Sequence, residues 1–267
     1  MIKPKLVLFL LVNFLRKQKR CHAQRSVILG KLLVATGTPW ENGIKTEVLD
    51  LHHPNMKCDL LPESKRRIGA FGGLIQNAPV ICGGRGLIKV KHAIDQERYK
   101  ADTYEQDCFV IGEPNKTIMM TEKRYHAASI VLNQTTIWAV GGGNGRGYSN
   151  STEFISFEKP PTRGLTLPFT SVGACMVQYE DSIYLIAGGQ NSYIFPSSKT
   201  WIIDLHDNSL KEGPPLNTRR TYHSCGKMNI DGKVVIVVAG GLSRGPDQSV
   251  ELLDPLSADN WKIGIHI

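Results

Sequence analysis

The sequence predicts an all-β fold built from repeated four-stranded sheets. Three observations predict it. An apolar, β-rich run ending at a glycine pair recurs along the chain; a second strand-like run follows each one about ten residues later; and a basic or aromatic segment leads into several of the copies. Short strands rich in Val, Ile, Tyr and Trp, separated by Gly and Pro turns at regular spacing, belong to antiparallel all-β proteins.

The glycine-terminated runs are Pro79 to Gly84, Ile137 to Gly142, Ile183 to Gly189 and Val235 to Gly241, with pairs Gly83-Gly84, Gly141-Gly142, Gly188-Gly189 and Gly240-Gly241. A degenerate copy, Leu32 to Gly37, leads them, and counted on the second glycine the intervals are 47, 58, 47 and 52. The following strands are predicted at Thr46 to Leu51, Cys108 to Ile111, Ser151 to Phe157, Lys199 to Leu205 and Ser249 to Asp254. Glu47, Glu153 and Glu251 stand at matching places in three of them. The approaches are Lys65-Arg66-Arg67, Lys123-Arg124-Tyr125-His126 and Arg219-Arg220-Thr221-Tyr222-His223, while Pro168-Phe169-Thr170-Ser171 lacks the Arg and His. A period near fifty leaves room for four strands. One such sheet cannot bury both faces alone, so successive sheets must stack around an axis, as in a β-propeller. Glycine suits the crowded strand ends because it accepts positive φ and has no Cβ.

The repeated Gly-Gly, the following Ser249-Val250-Glu251-Leu252-Leu253-Asp254, Trp261 a few residues beyond, and the Arg-Tyr-His approaches together resemble the kelch repeat over residues 31–267. The resemblance implies a kelch-type β-propeller of about five four-stranded blades, or an incomplete six. The sequence departs from the pattern at Thr36-Gly37, in an extra stretch around Leu87 to Lys100, and in the approach Pro168 to Ser171. The expected organisation is a signal peptide at 1–23, a short lead-in at 24–30 and the propeller at 31–267.

The formal charge is +8, but Lys3, Lys5, Arg16, Lys17, Lys19 and Arg20 fall in the first 23 residues, which hold no Asp or Glu, and account for all but +2 of it. A nearly neutral body argues against nucleic-acid binding, which needs a sustained cationic surface. A basic start, the apolar run Leu6 to Leu15 and Cys21-His22-Ala23 read as a secretory leader, too short to span a bilayer. The basic cluster Arg16 to Arg20 is untypical of one and leaves a cytosolic chain as the alternative. Secretion makes Asn115, Asn133 and Asn150 glycosylation candidates, each opening an Asn-x-Thr sequence. Without Cys21, five cysteines remain (Cys58, Cys82, Cys108, Cys175, Cys225), an odd number that favours buried thiols over a disulfide framework. Cys175 and Cys225 are read as equivalent small packing residues on neighbouring blades.

No catalytic residue, cofactor or metal site is predicted. Gly141 to Gly147 lacks the Lys-Ser/Thr of a phosphate-binding loop, no Cys-x-x-Cys occurs, and His52-His53 reads as a polar turn. Cys225 with His223 is the one nucleophile and base pairing the sequence offers, and Cys175 has no matching His. The approaches have a structural reading, in which repeated residues satisfy backbone carbonyls, and a functional one, in which they form a binding rim. On the kelch resemblance the rim comprises Arg124, Tyr125, Arg219, Arg220 and Tyr222, with Asn144, Arg146, Tyr148, Asn191, Tyr193 and Arg244 from the loops after the glycine pairs. The expected function is therefore a non-enzymatic, secreted protein-binding scaffold with an unidentified protein partner and no membrane insertion of the mature chain. The alternatives are an intracellular kelch substrate-receptor or actin-binding module, and a carbohydrate enzyme similar to galactose oxidase or the sialic-acid mutarotases.

Overall fold

The computed structural model describes residues 24–28, 31–35, 46–50, 59–61, 67–76, 78–91, 97–190, 195–257 and 260–264. The expected leader, Cys58, Asn191 and Tyr193 lie outside the described residues. Sheet 1 contains β1 (Gln24–Ile28), β2 (Lys31–Ala35), β3 (Thr46–Asp50) and β4 (Asp59–Leu61). A two-residue strand, β5 (Arg67–Ile68), precedes sheet 2, which opens with β6 (Phe71–Ile75) and β7 (Ala78–Cys82). The chain then leaves sheet 2 as a hairpin, β8 (Arg85–Lys91) and β9 (Glu97–Tyr104), and returns to complete it with β10 (Asp107–Val110) and β11 (Glu113–Met119). Sheet 3 is β12 (Ala128–Leu132), β13 (Thr136–Val140), β14 (Thr152–Ile155) and β15 (Thr162–Arg163). Sheet 4 is β16 (Cys175–Tyr179), β17 (Ser182–Ile186), β18 (Thr200–Asp204) and β19 (Leu210–Gly213). Sheet 5 is β20 (Ser224–Ile230), β21 (Lys233–Ala239), β22 (Val250–Leu253) and β23 (Lys262–Ile263).

All five four-stranded sheets are antiparallel. Their first strands stand side by side, β1 by β6, β6 by β12, β12 by β16 and β16 by β20, which gives a propeller-like arrangement. Two sequence expectations change here. Residues 24–30 are no mere lead-in, because Gln24–Ile28 is the first strand of sheet 1, paired along β2. The extra stretch around Leu87 to Lys100 is the β8–β9 hairpin, which with β5 forms a separate three-stranded sheet.

The second strands are continuously apolar because their two faces meet different neighbours. In β13, Ile137 and Ala139 pack among Phe71, Val80, Cys82 and Val110 of sheet 2. Trp138 and Val140 point the other way, to Met176, Ile183 and Leu185 of sheet 4. The alternation repeats in β17, where Ile183 and Leu185 face sheet 3 and Tyr184 and Ile186 face Ile236 and Val238 of sheet 5. Side chains alternate across a strand, so a strand sandwiched between sheets needs apolar residues at every position.

The glycine pairs sit where sheets touch. Gly84 N donates to Arg124 O, Gly142 N to Ser171 O and Gly188 N to Arg220 O, at 2.7, 2.7 and 3.0 Å, each joining one sheet to the entry of the next. This register corrects one alignment. In sheet 4 the residue matching Gly83, Gly141 and Gly240 is Ala187, whose N–H bonds Lys199 O as Gly141 N bonds Ser151 O. The structural pair is thus Ala187-Gly188, one residue earlier than Gly188-Gly189, with Ala187 at φ 52°. Space is tighter at Gly141, where φ is 65° and a Cβ would stand 2.3 Å from Ser171 O. Gly141→Ala should therefore cost about 2–3 kcal/mol in urea unfolding. Gly147→Ala, with nothing within 4 Å of its Cβ position, should stay within about 0.5 kcal/mol.

Candidate functional site

The approaches and the loops after the glycines adjoin at one end of the sheets. Gly143 bridges both Tyr125 and Tyr148, Gly189 bridges Val172 and Pro196, and Leu242 bridges Thr221 and Pro246. Just inside this layer a second set of backbone bonds links successive sheets: His126 N donates to Gly69 O, Gly173 N to His126 O and Tyr222 N to Gly173 O. These four residues hold equivalent positions and share positive φ, between 54° and 65°. They line a cavity of about 260 Å³, walled by the starts of β6, β12, β16 and β20. No carboxylate lines it; the polar groups are His126, Tyr222, His223 and the hydroxyls of Ser129 and Ser224.

From that wall a ladder of rings runs outward. Tyr222 meets His126 at 4.7 Å between centroids, His126 meets Tyr125 at 5.2 Å, and Tyr125 meets Tyr104 at 5.4 Å. The Arg85 guanidinium lies over Tyr104 at 5.2 Å and Tyr125 at 5.9 Å. Arg85 and Tyr104, absent from the sequence-derived rim, are the first and last residues of the inserted hairpin. Its return to sheet 2 beside Arg85 delivers both to the ladder.

The rim candidates divide. Arg146, Arg219 and Arg244 are exposed, and Tyr125, Tyr148 and Tyr222 are half-buried. The Asn144 carboxamide is turned into its own loop, where its oxygen accepts from the N–H groups of Arg146 and Gly147. Arg124 and Arg220 are not rim residues: they are 1% and 0% exposed. Arg124 donates to Glu153 at 2.7 Å, to Gly141 O, and to the backbone and hydroxyl of Ser151. Arg220 repeats the set with Glu251, Gly240 O and Ser249. A buried guanidinium needs this many acceptors, so the structural reading of the approaches holds at these two positions. Phe195, 67% exposed, and Leu242, 41% exposed, stand on the loop face without having been singled out in the sequence. Asn115, Asn133 and Asn150 are all exposed, and the Asn150 amide donates to Leu167 O.

Four of the cysteines expected as buried thiols are joined in two disulfides. Cys82 pairs with Cys108 across β7 and β10, and Cys175 pairs with Cys225 between β16 and β20. The two inter-sheet cysteines are not equivalent: strand register matches Cys175 to Ala128 and Ser224, and Cys225 to Ser129. With Cys225 in a disulfide, the nucleophile pairing with His223 has no thiol. No group of three or more His, Cys, Asp or Glu suited to a metal occurs among the described residues. No described helix is long and apolar enough to cross a membrane.

His223 is 7% exposed, with both ring nitrogens closed off from solvent and the Ile186 backbone as the polar group beside them. Burial, with the nearby Arg220 charge, holds its pKa down at about 3. Its equivalents in the other sheets are Ala70, Ala127 and Ala174, so an imidazole replaces a methyl group at this wall.

No family model and no curated protein matches the chain. Among solved structures it is similar to that of YjhT, with a TM-score of 0.62 and 13% identity over 92% of this chain and 84% of that one. At such identity the likeness speaks to architecture alone. It agrees with a propeller-like stacking of the sheets.

Two measurements test the site's interior. Arg124→Leu strands the fully buried Glu153 carboxylate and should cost about 3–5 kcal/mol in urea unfolding. Exposed Arg219→Ala should stay within about 0.5 kcal/mol. From the ordinary histidine value of 6.5 down to about 3, the unfolded chain binds a proton at residue 223 that the folded chain refuses. Stability should therefore fall as pH drops through that window, by up to about 1.4 kcal/mol per unit. Urea midpoints between pH 7 and 4 should fall less steeply for His223→Ala than for the natural chain.

Proposed function

We propose that the chain is a kelch-type β-propeller whose loop face binds a protein partner without catalysing a reaction. The observation that carries this reading is the ladder Arg85, Tyr104, Tyr125, His126 and Tyr222, which runs out from the cavity wall, together with exposed Arg146, Arg219 and Arg244 on the approaches and loops of the same end. Tyr and Arg supply large contact area and directional donors, the properties of interface hot spots. Packed rings hold their positions in advance, which lowers the ordering cost of association. The blade number belongs to the same proposal: five described four-stranded sheets support five blades or an incomplete six.

The two disulfides support maturation in an oxidising compartment, and the exposed acceptor asparagines are open to glycans there. One observation favours the intracellular alternative. Gln24 faces Ala35 as Ala128 faces Val140, and the sequence before Gln24, Arg20-Cys21-His22-Ala23, resembles the sequence before Ala128, Arg124-Tyr125-His126-Ala127. On that reading the basic segment belongs to a repeat. N-terminal sequencing of the recovered chain separates the two: a start at Gln24 with glycan on Asn115 or Asn133 supports secretion, and retention of Arg20 with bare asparagines supports the intracellular module.

The binding role is tested by immobilising the chain beside a Tyr125→Ala, Arg219→Ala double variant of unchanged circular dichroism. Proteins held by the natural chain should be lost from the variant by about tenfold or more in affinity, the scale of a hot-spot truncation. Equal retention of every protein on both would remove the loop face as the binding site.

A further inference from the structure

We propose that Cys175–Cys225 is a thiol-exchange site, reached by small thiol compounds through the axial cavity. Both cysteines line that cavity, beside Met176, His223 and Ser224, and both are half-buried. The other disulfide has the opposite setting: Cys82 and Cys108 are 0% exposed, packed among Phe71, Val110 and Ile137 between sheets 2 and 3. Exchange requires in-line approach of a thiolate to a sulfur, so access separates a labile disulfide from an inert one. The two also join different things. Cys82–Cys108 staples neighbouring strands of a single sheet, whereas Cys175–Cys225 ties sheet 4 to sheet 5.

The cavity wall also holds a group that breaks the repeat. His223 takes the place of Ala70, Ala127 and Ala174. A residue that breaks a repeat marks a place where something other than the repeat's own packing is served. A neutral imidazole offers one N–H donor, the group a departing thiolate calls for where bulk water is restricted.

A small thiolate forms a bond to one cysteine sulfur as the Cys175–Cys225 bond breaks. The bonding pair leaves on the second sulfur, which takes up the proton the attacking thiol released. A second thiol displaces the resulting mixed disulfide in the same way. The protein disulfide is reduced to two thiols, and two small thiols are oxidised to one small disulfide. What then joins the inner ends of sheets 4 and 5 is non-covalent, including Tyr222 N to Gly173 O, Gly188 N to Arg220 O and the Thr221 hydroxyl to Val172 O. The seam beside the loop face thereby becomes sensitive to the surrounding thiol pool.

The test treats the folded full chain with increasing 2-mercaptoethanol at neutral pH, traps free thiols with iodoacetamide, and reads each cysteine by mass spectrometry. Cys175 and Cys225 should label, passing through a mercaptoethanol adduct, at concentrations that leave Cys82 and Cys108 unlabelled. His223→Ala, which installs the residue found in the other sheets, should slow this exchange about threefold or more by removing the donor. Exchange at Cys82–Cys108 should be unchanged in that variant. Opening of Cys82–Cys108 first, opening of both together only when circular dichroism reports unfolding, or an unslowed His223→Ala variant would overturn the proposal.

Discussion

A guanidinium buried to 0% or 1% exposure is tolerable only where most of its N–H groups find acceptors, and in this chain that demand organises the turn region of each sheet that carries one. Arg124 gathers Gly141 O at the end of β13, and Ser151 and Glu153 around the start of β14. Its own carbonyl receives Gly84 N–H from the sheet before. One side chain and one peptide unit therefore fix the entry to a sheet, the turn at the end of its second strand, the beginning of its third, and its contact with the preceding sheet. Glu153 is fixed in turn by Thr121, through both its N–H and its hydroxyl, so no lone charge is left in the interior.

The sheets that lack this arrangement show how tightly its parts are coupled. In sheet 4, Ser171 stands where Arg124 and Arg220 stand, and Trp201 takes the position of Glu153 and Glu251. Both halves are missing together, which spares the sheet an unpaired charge. Trp201 instead stacks on Phe169 at 4.6 Å and lies under the Lys199 ammonium. Sheet 2 keeps its cation but moves the acid: Phe109 occupies the glutamate's position under Arg67, and Asp107, two residues earlier, accepts the ion pair.

The strands were legible because periodicity alone reveals them. Every glycine-terminated run and every following run lies on a strand, and the matching glutamates 153 and 251 share one register. Three things were not legible, each for a physical reason. Arg124 and Arg220 have neighbours typical of a loop, and only the three-dimensional return of Glu153 and Glu251 shows them to be interior. Ala187 at positive φ escapes a search keyed on glycine, so sheet 4 was misaligned by one residue. Cysteine parity speaks against disulfides only if every cysteine must pair, whereas register alone set Cys82 opposite Cys108. For the candidate site, sequence found Tyr125 and Tyr222 but missed Arg85 and Tyr104, which lie in the insertion and match nothing in the repeat.

That insertion leaves and rejoins sheet 2 at nearly one point, for Glu105 N donates to Gly84 O at 2.9 Å across its base. A loop closed at its own root transmits little to the body behind it. The hairpin can lengthen, shorten or be exchanged for another while β7 and β10 keep their pairing, yet its first and last residues stay planted in the ring ladder. Variation in that one segment would thus change the surface presented beside the ring ladder, leaving the seams between the sheets untouched.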